Sequence, residues 1–115
     1  MSITPEHAKN LALSLIDEMK GEDIVAIDLA GKASFADYMI VATATSRRQA
    51  IAMANKTMDM LKSHGLVPIH AEGMEMADWV LVDAGDIVIH IFQPETRPLY
   101  KLEDLWAQKP LSRHN

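Results

Sequence analysis

With 115 residues, 49% of them hydrophobic, the chain has the material for one domain with a real core and too little length for two. Its net charge of -5, from 11 basic and 16 acidic side chains, excludes a basic field for nucleic-acid phosphates and favours a basic protein as partner. The absence of cysteine excludes disulfides and thiolate zinc sites. No apolar run approaches the roughly 18 residues of a membrane span, and Met1-Ser2-Ile3-Thr4-Pro5-Glu6 has neither the basic nor the apolar part of a signal peptide, so a soluble cytoplasmic protein is expected.

Thr4 as N-cap and Pro5 at the first helical position open a helix in which Ala8, Leu11, Ala12, Leu15, Ile16 and Met19 form the apolar stripe and Gly21 is the stop. Residues 24–29 alternate as a strand, with Asp28 facing away from Val25, Ile27 and Leu29, and residues 31–36 form a loop. Residues 37–44 are apolar nearly throughout, as suits a central strand. Ser46 and Gln49 make a capping box for a long helix with Ile51, Ala54, Met58 and Leu61 as its buried stripe, ending at Gly65. A third strand is expected at residues 66–70, with residues 71–76 leading on to residues 77–92, two apolar runs joined by Asp83-Ala84-Gly85-Asp86.

Those two runs predict a β-hairpin in either of two registers. A two-residue loop pairs Asp83 with Asp86 and sets Trp79 opposite His90, at the cost of positive φ at Ala84; a three-residue loop sets Asp78 opposite His90. Both faces are apolar, so the pattern does not choose between them. Beyond Phe92 the chain turns at Pro94 and Pro98, residues 96–100 are irregular, residues 102–107 form one or two helical turns, and a tail begins at about residue 108. The order predicts a single α/β domain with a mixed five-stranded sheet, in which the strands at 37–44 and at Val67 form a right-handed parallel crossover.

Among the five histidines no ligand spacing exists, and no metal or cofactor is expected. His90 alone interrupts an apolar strand, either bonded to a carboxylate such as Asp78 or exposed for recognition. Gly31-Lys32-Ala33-Ser34 before Asp37 resembles the turn of nucleotidyltransferases, but Met39 stands where a second magnesium-holding carboxylate is needed. An enzyme is therefore not expected; the alternative is a residual transferase pairing Asp37 with Asp28 or Asp83. Most of the eight methionines suit core filling, whereas Met74 and Met76 suit an interface. Trp79, Phe92, Tyr100 and Trp106, beside Glu72, Arg97, Glu103 and Asp104, resemble the anchors and charged rim of a protein interface, unless the C-terminal segment folds back to seal that face.

Asp37-Tyr38-Met39-Ile40-Val41-Ala42-Thr43-Ala44-Thr45-Ser46-Arg47-Arg48-Gln49, the pair Glu72-Gly73, the hairpin from Asp78 and Arg97-Pro98-Leu99-Tyr100-Lys101-Leu102-Glu103-Asp104-Leu105-Trp106 together resemble the ribosomal silencing factor, or Iojap, family. Ala44 and Ala84 depart from its usual residues. The resemblance implies a nucleotidyltransferase-like fold without catalytic carboxylates. It also implies binding to the large ribosomal subunit through ribosomal protein L-fourteen, steric blockade of small-subunit joining when nutrients are short, and a homodimer. It assigns interface roles to Trp79, His90, Arg97, Tyr100, Leu102 and Trp106, with Asp37, Tyr38, Glu72 and Asp78 as further members. A homodimeric scaffold for another protein is the remaining alternative.

Overall fold

The computed structural model describes residues 3–97; the expected helical turns, the tail and the candidates Tyr100, Leu102 and Trp106 lie outside the described residues. The elements run α1 (Pro5–Glu18), β1 (Glu22–Asp28), β2 (Tyr38–Thr43), α2 (Arg47–Ser63), β3 (His70–Glu72), β4 (Trp79–Asp83) and β5 (Ile87–Phe92). They form an α/β fold with one five-stranded sheet in the order β1-β2-β5-β4-β3. β2 and β5 are parallel and the other three pairings antiparallel, so the sheet is mixed.

The helix starts fall where the sequence places them. Thr4 Oγ1 accepts the His7 N–H at 3.1 Å and Ser46 Oγ accepts that of Gln49 at 3.0 Å, each satisfying an N–H that the first turn leaves without a partner. The Gln49 side chain reaches one residue past the N-cap: its Oε1 accepts the Thr45 N–H at 2.6 Å, and its Nε2 donates to the Met19 carbonyl at 3.0 Å, tying the start of α2 to the end of α1. Gln49→Ala is expected to cost about 1–2 kcal/mol, seen as a lower urea midpoint at unchanged slope. An unchanged midpoint would mean that the tie contributes nothing.

Both helices end in the same way. The N–H of Gly21 donates to Ile16 O and that of Lys20 to Asp17 O; Leu66 and Gly65 repeat the pattern onto Leu61 and Lys62. In α1 the left-handed residue is Lys20 (φ 71°), one position before the expected Gly21. Glycine is still required at 21, because a Cβ there would lie 2.6 Å from Ile16 Cγ2.

Four expectations are corrected. The parallel partner of β2 is β5, and the third strand is His70–Glu72 at the sheet edge, because Pro68 has no N–H to give a ladder at residues 66–69. In the hairpin neither register holds: Asp83 pairs with Val88, Trp79 with Phe92 and Leu81 with His90. The Ala84 N–H donates to Ile87 O at 3.0 Å, so the loop is Gly85-Asp86, and the positive φ falls on Gly85 at 84°, sparing Ala84. In α2 the buried residues are Ala50, Met53, Ala54, Thr57 and Leu61, a stripe turned so that Ile51 and Met58 are only half-buried.

The pleat sorts the strands into two faces. Ile40, Ala42, Val80, Val82, Ile87, Ile89 and Ile91 meet Ala8, Ala12, Ile16, Ala50, Met53 and Leu61 of the helices in one core. A second, smaller core gathers Ile27, Leu29, Met39, Val41, Val88 and Phe92, with Val25, Trp79 and Leu81 packed against it. No helix of the described residues contributes to this second core.

Candidate functional site

The second face is built around an aromatic cluster at the ends of β4 and β5. Because Trp79 pairs with Phe92, their rings stack with centroids 5.2 Å apart at 22°, and His90, two residues back on the same face, lies diagonal to Trp79. The Trp79 indole N–H donates to His90 Nδ1 at 2.9 Å. An indole nitrogen only donates, so Nδ1 must be unprotonated and the neutral imidazole carries its proton on Nε2. His90 is buried (7% exposed), and burial lowers its pKa from 6.5 to about 4. Neither expected role for His90 holds: its partner is an indole rather than the Asp78 carboxylate, and it is not exposed. Asp78 is the residue of opposite parity just outside β4.

The segment following β5 fixes the base of this cluster. Gln93 donates through Nε2 to Ala77 O at 2.9 Å and through its backbone N–H to Asp78 O at 3.0 Å, and the Thr96 hydroxyl donates to Asp78 O at 2.6 Å. Arg97 is buried, with Nη1 donating to Thr43 Oγ1 at 2.7 Å. Its expected place on a charged rim becomes a place inside, bracing the segment after β5 against the end of β2. On the other flank, the Arg47 guanidinium donates through Nε and Nη2 to Glu75 O, at 3.0 and 2.6 Å, anchoring the loop that delivers Trp79.

Of the other sequence-predicted residues, Glu72 joins the cluster: it is exposed and pairs with Leu81, so both share the face of Trp79. Asp37 and Tyr38 do not. Tyr38 pairs with Ile87, at the opposite end of β5 from Phe92, and packs against the helix-side core with Lys9 Nζ 4.7 Å from its ring centroid. Partial desolvation, then the carboxylates of Asp28, Glu6 and Asp37, raise the Tyr38 pKa. Asp78 enters through its backbone carbonyl. Leu81, Gln93 and Thr43 were missed by sequence reasoning; the alternation of β4 carried the signal for Leu81, whereas the partners of Gln93 and Thr43 are distant in sequence.

Of the two carboxylates that a residual transferase would pair with Asp37, Asp28 lies beside it, opposite Tyr38 in the β1–β2 ladder, and Asp83 does not. Asp28 Oδ1 accepts the Ala30 N–H and Asp83 Oδ1 that of Gly85. β2 and β4 are two strand spacings apart, which puts Asp83 on the order of 10 Å from the strand that follows Asp37. Among the described residues no group of three or more His, Cys, Asp or Glu could hold a metal ion, and no helix is long and apolar enough to cross a membrane.

The sequence pattern of the family described as ribosomal silencing factor during starvation matches residues 2–115. A ribosomal silencing factor of Zymomonas mobilis is 46% identical over 106 residues, spanning 92% of this chain and 80% of its own. A mouse protein named mitochondrial assembly of ribosomal large subunit protein 1 is 34% identical over 101 residues, spanning 85% of this chain and 44% of its own. A crystal structure of a Chromobacterium violaceum protein superposes with a TM-score of 0.87 at 38% identity, covering 98% of this chain and 95% of that one.

Proposed function

The chain belongs to the ribosomal silencing factor family, whose non-catalytic members bind the ribosome and regulate translation, and we propose that it docks on ribosomal protein L-fourteen of the large subunit. Sitting there in the cytoplasm, it blocks joining of the small subunit by occupying space, and it represses translation when nutrients are limiting. The observation that carries this reading is the second sheet face: a half-buried Trp79 locked by His90 and Phe92, beside half-buried Leu81 and exposed Glu72. Preorganised aromatics with apolar neighbours are what interface anchors require, and an acidic chain is steered toward a basic ribosomal protein. The name of the mouse relative supports the choice of the large subunit. The same face suits a second copy of the chain, so a homodimer competes with the ribosome complex. The fold is a nucleotidyltransferase-like frame without its carboxylates, in keeping with the separation of Asp37 from Asp83.

Trp79→Ala is expected to weaken co-sedimentation with large subunits about thirtyfold or more, the effect of losing a central anchor worth about 2 kcal/mol. A variant that keeps its far-ultraviolet circular dichroism and binds like the wild type would overturn the assignment.

A further inference from the structure

Three large apolar side chains among the described residues are exposed, Phe35 at 52%, Val67 at 69% and Met76 at 69%. Register sorts them by place. Phe35 precedes Tyr38, which pairs with Ile87, and Val67 precedes His70, which pairs with Asp83, so both lie at the end of the sheet away from Phe92. Met76 alone lies at the Phe92 end, in the loop that joins Glu72 to Trp79. Its exposure is not that of a loose loop. The residues on either side are held by their carbonyls, Glu75 O by the Arg47 guanidinium at 3.0 and 2.6 Å and Ala77 O by Gln93 Nε2 at 2.9 Å. A fixed backbone therefore presents a thioether to solvent at the end of the sheet that carries the aromatic cluster.

The other described methionines are covered: Met39 and Met53 are buried, and Met19, Met58, Met60 and Met74 are half-buried against the helix-side core. Oxidation of a thioether follows its exposure, so Met76 is the described methionine that a peroxide reaches first. We propose that Met76 is an apolar contact of the docking face and also its oxidation site, so that a hydroperoxide releases the factor from its partner. The Met76 sulfur attacks one oxygen of hydrogen peroxide. An S–O bond forms as the O–O bond breaks, the sulfur gives up two electrons, and the proton on the transferred oxygen passes to the departing hydroxide, giving water. The sulfoxide is polar, so a contact that burial favours becomes one in which a dipole must be stripped of water. The contact rests on the docking reading; the oxidation rests on the exposure of the side chain.

Two measurements separate the inference from that reading. In the first, the free protein is treated with limiting hydrogen peroxide and mapped by peptide mass spectrometry. Met76 should carry the sulfoxide before any other described methionine, and the urea midpoint should not move, since the side chain is exposed. A sulfoxide that forms first on another described methionine overturns the inference without reference to any ribosome. In the second, the treated protein is sedimented with purified large subunits. Its affinity should fall about tenfold, and methionine sulfoxide reductase should restore it. Met76→Leu, which keeps an apolar side chain and lacks the sulfur, should bind like the wild type both before and after peroxide. Full affinity in protein that carries the Met76 sulfoxide overturns the inference, as does a Met76→Leu protein that loses binding to peroxide as the wild type does. Untreated protein that never binds large subunits, with Met76 still oxidised first, overturns the docking reading and leaves the oxidation site standing.

Discussion

Replacing Gly73 with alanine is expected to cost about 3–4 kcal/mol of stability, from a left-handed backbone penalty added to a steric overlap. Gly73 has φ 82°, and a Cβ there would run into the backbone carbonyl of Trp79. That carbonyl belongs to the first residue of β4 and cannot swing aside as a flexible side chain would. The loop itself is fixed, since the Ala77 N–H donates to Gly73 O at 2.8 Å and Arg47 holds Glu75 O. Gly85 is the internal comparison: its φ is 84°, but nothing lies within 4 Å of where its Cβ would be. Gly85→Ala should therefore cost only the backbone term, about 1–2 kcal/mol. Urea unfolding of the two variants separates the contributions, and equal losses would show that the close approach of Gly73 to β4 has no energetic weight. Large-subunit binding should fall with Gly73→Ala even where the protein remains folded, because the displaced carbonyl is that of the anchor residue.

The second large effect is on acid stability. His90 titrates near its ordinary 6.5 in the unfolded chain and at about 4 in the fold, where burial disfavours the imidazolium. Above pH 6.5 both states are neutral and the stabilisation is fully present. As pH falls from 6.5 toward 4 the unfolded chain takes up a proton that the fold refuses, and about 3 kcal/mol is lost, at up to about 1.4 kcal/mol per pH unit. Below 4 the fold is protonated as well and this loss levels off. Protonation at Nδ1 also sets a donor against the Trp79 indole N–H, so the stack should loosen in the same range. The test is the stability of wild type and His90→Phe measured from pH 7 to pH 4. The wild-type curve should fall more steeply by one proton's slope; parallel curves would contradict a buried neutral imidazole.

What could be read from the chain was what neighbouring residues decide. Thr4-Pro5 and the Ser46–Gln49 pair gave both helix starts because capping involves residues three apart. β2, β4 and β5 were legible from their apolar runs, and with them the α/β class and the mixed five-stranded sheet. The pairing of β2 with β5 was not, since the 43 residues between Thr43 and Ile87 include a helix and two further strands, and no local pattern says which strand returns to the centre. Nor was the hairpin register. Val80 and Leu81 are both apolar, so a slip meets no hydrophobic penalty; the conformational freedom of Gly85 and the cost of positive φ at Ala84 settled it.

Register in turn governed the site. Trp79 and His90 stand out in the sequence, but their hydrogen bond follows from a diagonal placement that neither expected register contains. Arg97 illustrates the remaining gap: a charged side chain in a loop reads as rim, whereas Thr43, 54 positions earlier, draws it inside. Asp37 and Tyr38 share a motif with β2 yet lie at the opposite end of the central strands from Trp79, because a parallel pairing sets Tyr38 beside Ile87 and Thr43 beside Phe92.

Occlusion is a statement about joining, so its most direct measurement mixes purified large and small subunits with increasing protein and resolves them by density-gradient sedimentation. The expected result is protein in the large-subunit fraction, none on the small subunit, and loss of joined ribosomes in proportion to occupancy. Joined ribosomes that persist at full level while carrying the protein would contradict steric silencing.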